Sequence, residues 1–168
     1  MNPEWEPEFL TREIVDGIHE EQINSFGGLH GVRDENALES AIMAAQNVYY
    51  YADDDLYEIA AAYAYHLAES QAYLDGNKRT GDQAAFVFLE GGGVSCDQLP
   101  EEQTYLAMIK IATHEMSRAD LAEYFDQRGV KSRNRFQTLQ LSRQRRPLQP
   151  EHLGRRRLIA PRFSESLF

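Results

Sequence analysis

Two apolar stretches lie almost back to back in this 168-residue chain, and they limit what it can fold into. "LYEIAAAYAYHLAES", residues 56–70, is apolar nearly all round a helical wheel. The stretch that starts near Asn77 and runs through "AAFVFLE" to Gly91-Gly92-Gly93 is apolar on most sides too. A helix without a polar face is stable only when other elements surround it. Two such helices in succession predict an all-α domain with this pair at its centre. The link between them is only "QAYLDG", residues 71–76.

The remaining segments supply the surround. Thr11 can cap a helix that turns Ile14, Val15, Ile18 and Phe26 inward and stops at Gly27-Gly28. Asp34 can cap a second, with Leu38, Ala41, Ile42 and Ala45 at helical spacing. Asp55 and Glu58 have capping-box spacing ahead of the first central helix. Pro100 opens a fifth helix expected to bury Tyr105, Met108, Ile109 and Ala112. Ser117 and Asp120 form a weaker capping box for a sixth, "RADLAEYF". The expectation is a bundle of about six helices forming one domain over residues 1–126.

The net charge of -10 conceals a division. Residues 1–125 carry 6 Lys/Arg and 24 Asp/Glu, net -18, whereas residues 126–168 carry 11 and 3, net +8. From about Gln127 the helical pattern gives way to Arg, Gln, Ser and Pro, so residues 127–168 are expected to be a basic, extended tail, with room for a short helix around Phe136–Leu141. "RQRR" and "RRR" in that tail suit nucleic-acid phosphates, yet little aromatic interleaving accompanies them. An acidic partner or the chain's own acidic domain fits the tail better. No run of about 18 apolar residues occurs to span a membrane. The acidic start "MNPEWEPEFL" lacks the profile of a signal peptide. Cys96 is the sole cysteine, which excludes an internal disulfide and fits a reducing cytoplasm.

The link carries the chemistry. A helix N-terminus leaves its first N–H groups unpaired and bears partial positive charge. Gly76 permits a positive φ and close approach of a ligand, and Asn77, Lys78, Arg79 and Thr80 then put donors and two cations in the first turn. Cations there oppose the helix dipole unless an anion sits among them, which points to phosphate. Asp75 could hold a Mg²⁺ that bridges phosphate oxygens. Spacing alone is met equally well by a turn with a helix cap and two solvated basic residues. A P-loop is excluded, because no Lys-Ser/Thr ending and no preceding strand are present.

"Tyr73-x-Asp75-Gly76-Asn77-Lys78-Arg79-Thr80", set between two buried helices, resembles the signature of the Fic/Doc (Fido) superfamily, and most closely its Doc, or death-on-curing, toxin branch. The upstream "FGGLHGVRDENALESAI" and the fifth and sixth helices resemble that branch as well, so the likeness covers roughly residues 9–126. The resemblance implies transfer of the γ-phosphate of ATP to a hydroxyl of a host protein such as a translation factor. It implies Mg²⁺ on Asp75, phosphates on Asn77 and Arg79, Lys78 closing the phosphate pocket in place of the Gly of AMP-transferring relatives, and Tyr73 as the loop's aromatic anchor, where bulk matters rather than polarity. It also implies an antitoxin acting in trans, because no inhibitory Ser/Thr-x-x-x-Glu-Gly/Asn helix occurs in the chain.

Three departures stand out. The family's catalytic His falls at Gln71 and its Pro at Ala72, while Asp82 occupies a position that is Arg in AMP-transferring members. A general base contributes about 10²–10⁴-fold, but phosphoryl transfer depends mostly on positioning and charge neutralisation. Gln71 can orient an acceptor hydroxyl without removing its proton. Three readings follow: a kinase-type toxin, slowed by Gln71; a catalytically inactive nucleotide- or partner-binding module; and a nucleic-acid-binding regulator acting through the tail. His66, five residues before Gln71, should face away from the link. His19, His30, His114 and His152 show no metal-ligand spacing, and no functional role is expected of them.

Overall fold

The centre of the domain is built on small side chains. In a computed structural model describing residues 6–51, 55–97 and 99–128, α3 (Leu56–Glu69) buries Ile59, Ala60, Ala61, Ala62, Tyr63, Ala64, Leu67 and Ala68. α4 (Asn77–Gly91) lies against it, burying Gly81, Ala84, Ala85 and the run Phe86–Leu89. The two backbones come so close that a Cβ on Gly81 would sit 2.6 Å from the carbonyl oxygen of Ala64. Alanine and glycine at the crossing let the long side chains, such as Tyr63 and Phe88, pack around it.

The surround is as the apolar periodicity predicts. α1 (Arg12–Phe26) packs on α4, and α2 (Glu35–Tyr51), α5 (Glu101–Ala112) and α6 (Arg118–Arg128) pack on α3. Thr11 caps α1 by accepting from the Ile14 N–H, and Gly27 ends it at a φ of 81°. Asp34 Oδ1 accepts from the Ala37 N–H at the start of α2. Among the described residues the chain is all-helical, apart from one isolated antiparallel bridge between Val32 and Tyr73. The tail expected over residues 127–168, with its basic clusters, lies outside the described residues except for Gln127 and Arg128, which extend α6.

Three local expectations are corrected. Helix α5 keeps its period but is rotated by about one residue: Thr104, Ala107, Met108 and Ile111 are buried, and Tyr105 is 48% exposed. The Thr104 hydroxyl, placed between Pro100 O and the Tyr124 hydroxyl, gives this small β-branched residue the inward position instead. At α3 only half of the capping box forms: Asp55 accepts from the Tyr57 N–H, while Glu58 reaches across to Arg118 at 4.0 Å. The box judged weaker is the reciprocal one, with Asp120 Oδ2 accepting from Ser117 N–H at 2.9 Å and Ser117 Oγ from Asp120 N–H at 3.1 Å.

Candidate active site

α3 ends at Glu69, and the chain reverses through Gln71, whose φ of 52° is left-handed. Ser70 eases the reversal, its hydroxyl donating to Leu67 O and accepting from the Ala72 N–H. Gln71 itself is exposed, with its amide nitrogen 3.5 Å from Ala68 O. The link then runs beside residues 31–34: Ala72 O accepts from the Arg33 and Asp34 N–H groups, and the Leu74 N–H donates to Gly31 O. Gly76, at φ 76°, turns the chain into α4, and no side chain caps that helix. The N–H groups of its first turn are therefore open to a ligand, as an anion site requires.

The candidate side chains divide between structure and solvent. Asn77 is buried and spends its amide on the link, accepting from the Tyr73 N–H at 2.9 Å and donating to Tyr73 O at 3.0 Å. It closes the loop like a staple, leaving its backbone N–H for a ligand. Thr80 is turned fully inward, with its N–H on Gly76 O and its hydroxyl oxygen buried without a partner. Lys78 is exposed. Arg79 donates twice to Gly27 O at 3.0 Å and once to Gln22 O at 3.4 Å, and it pairs with Asp75 at 3.8 Å. Its charge thus sits on the carbonyls that end α1, where a cation is favoured.

Asp75 is half-exposed, and its Oδ1 accepts from the Gly76 N–H at 2.7 Å. Gly28 leaves room for it, since a Cβ there would stand 2.6 Å from Oδ2. A single accessible carboxylate at an open helix start suits Mg²⁺, which is held by one or two carboxylates together with substrate phosphates and water. No cluster of three or more metal-ligating side chains occurs among the described residues.

Helix α1 contributes what sequence reasoning missed. Asp16 Oδ1 accepts from the Tyr73 hydroxyl at 2.6 Å, so the anchor is held by polarity as well as bulk, a correction to the expectation of bulk alone. Asp16 is in turn held by Arg12 at 2.8 Å, which also binds Glu35 and Glu39 of α2. Burial and the Asp16 carboxylate push the Tyr73 phenol far above its usual range, so it remains a donor. His19 is buried, its ring stacked on Tyr73 at 3.8 Å and 5°, its Nε2 3.0 Å from Asp75 O. Burial holds its imidazole below the ordinary value, although the Asp75 carbonyl and Asp16 act the other way. The only signal in the sequence is that Asp16, His19 and Ile23 share one stripe of the helix. His66 is half-buried beside Tyr65 and under the field of Arg118. His114 pairs loosely with Glu69 at 3.9 Å.

No helix among the described residues is long and apolar enough to cross a membrane. A Fic/DOC family model matches residues 9–89. The chain is 32% identical to "Protein kinase doc" of Escherichia phage P1 over 117 residues, which is 68% of this chain and 90% of that protein. It is 42% identical to "Toxin Doc" of Mycolicibacterium smegmatis over 72 residues, covering 42% of this chain and 55% of that one. A match at 32% identity over nine tenths of a relative's length places this chain in the Fic/Doc family.

Proposed function

We propose that the chain is a kinase-type toxin that transfers the γ-phosphate of ATP to a hydroxyl of a host protein, with Gln71 orienting the acceptor. The observation that carries this reading is the uncapped start of α4, bracketed by the half-exposed Asp75 carboxylate and the exposed Lys78. The backbone N–H groups of Asn77, Lys78 and Arg79 receive phosphate oxygens, and Lys78 neutralises charge that develops on the phosphates. Arg79 keeps the helix start in register through Gly27 and turns its remaining donors to phosphate. Asp75 would hold Mg²⁺, which when bound would add charge neutralisation on the phosphates. The acceptor oxygen forms a bond to the γ-phosphorus as the bond to the ADP oxygen breaks. The proton of the acceptor leaves to water or phosphate oxygen, because an amide cannot take it. An antitoxin acting in trans controls the site, as the name "Toxin Doc" of one relative suggests.

Gln71 also favours a second reading, a module that binds nucleotide or partner without turnover. Transfer of γ- against α-labelled phosphate from ATP and Mg²⁺ into a host lysate separates the two. Label from the γ position, lost in Lys78→Ala, supports the kinase. Label that appears only in Gln71→His supports the module, and incorporation of α-label overturns both in favour of nucleotidyl transfer. Lys78 is the cleaner variant than Arg79, whose guanidinium also holds α1 to α4.

A further inference from the structure

We infer that His19 is the residue that positions Asp75 for its ligand; this rests on the proposed function above. A carbonyl oxygen only accepts, so the 3.0 Å contact to Asp75 O makes His19 Nε2 the proton-bearing nitrogen. That bond fixes the Asp75–Gly76 peptide, the one unit that sets both the direction of the Asp75 carboxylate and the left-handed turn into α4. The ring cannot pivot away, because it is stacked on Tyr73 at 3.8 Å, and the Tyr73 hydroxyl is held by Asp16 one turn earlier on α1. Gly76 completes the fit: a Cβ there would lie 3.7 Å from His19 Cδ2 and 2.9 Å from Ile23 Cδ1.

α1 and the glycine that ends it thus grip the link and the first turn of α4. Asp16 holds Tyr73, His19 holds Asp75, and the carbonyls of Gln22 and Gly27 hold Arg79. His19 itself touches no phosphate. Its side chain is buried and its polar edge is turned to the loop's backbone. It acts through Asp75 as a positioning residue.

Three variants separate this role from packing. His19→Phe keeps a flat ring against Tyr73 and loses the donor, His19→Gln keeps a donor and loses the stack, and His19→Ala loses both. ATP binding is measured by calorimetry across a Mg²⁺ series, with thermal unfolding of each protein alongside. His19→Phe is expected to remain the most stable of the three variants yet to need about 10-fold more Mg²⁺ than wild type for half-maximal ATP binding, a change about the size of one hydrogen bond. His19→Gln should recover much of that loss, even though it is the less stable protein. An unchanged Mg²⁺ requirement in His19→Phe overturns the positioning role while leaving the nucleotide site intact. A wild-type chain that binds no ATP at any Mg²⁺ concentration overturns the site and this role together.

Discussion

The Tyr73 hydroxyl donates to Asp16 Oδ1 at 2.6 Å, tying the link between the two central helices to the outer helix α1 across 57 residues of sequence. Tyr73→Phe keeps the ring and removes that bond. Hydrogen bonds to a charged acceptor are worth about 1.5–3 kcal/mol, and the partial exposure of Asp16 puts this one at the low end. Urea unfolding should show a loss of about 1–2 kcal/mol. The double variant Tyr73→Phe with Asp16→Ala should lose less than the sum of the two single changes.

Gln71 stands in a left-handed conformation that disfavours most side chains and that His tolerates better than most. Gln71→His should therefore leave stability within about 0.5 kcal/mol of wild type, and Gln71→Gly should raise it by about 0.5–1 kcal/mol. Chemical denaturation of the three proteins checks this. A marked loss in Gln71→His would mean that the glutamine makes a contact the imidazole cannot replace.

At Gly81, where the two central helices cross, a Cβ would meet the Ala64 carbonyl at 2.6 Å and the Ala68 nitrogen at 3.2 Å. Both are backbone atoms inside α3 and cannot swing aside. Gly81→Ala should cost about 3 kcal/mol, the upper part of the range for overpacking, despite alanine's better helix propensity. A gain in melting temperature would show that the helices separate easily.

Acid should weaken the fold through His66. Burial first, and then the positive charge of Arg118 on α6, hold its imidazole below the ordinary value of about 6.5. Glu58, also on α3, pairs with Arg118 and moderates that charge. Because the folded value is the lower one, the unfolded chain takes up a proton first as pH falls. The contribution of His66 is complete above about pH 6.5 and is lost progressively below it. Urea midpoints followed from pH 7.5 to 5 should fall, and His66→Gln should flatten that slope.

Helix caps, core periodicity and the glycine turn into α4 were legible because each is a local pattern. Thr11, Asp34 and Asp55 cap through neighbours two or three residues away, the apolar faces of α1 and α2 repeat every three or four positions, and α3 and α4 are apolar over most of their surface. The same logic placed Gly76 at the turn and Asn77 at the helix start. It erred in α5, where period is local but rotational phase depends on what the helix packs against.

An all-α domain, its central pair of helices and the short link between them with Gln71 at its start can be read from the chain alone. How that link is held follows from the docking of α1 on α4. Asp16, His19, Gln22 and Gly27 meet Tyr73, Asp75 and Arg79 across separations of 52 to 57 residues. Contacts of that range leave no periodic trace in the chain, because they exist only once α1 has docked beside α4.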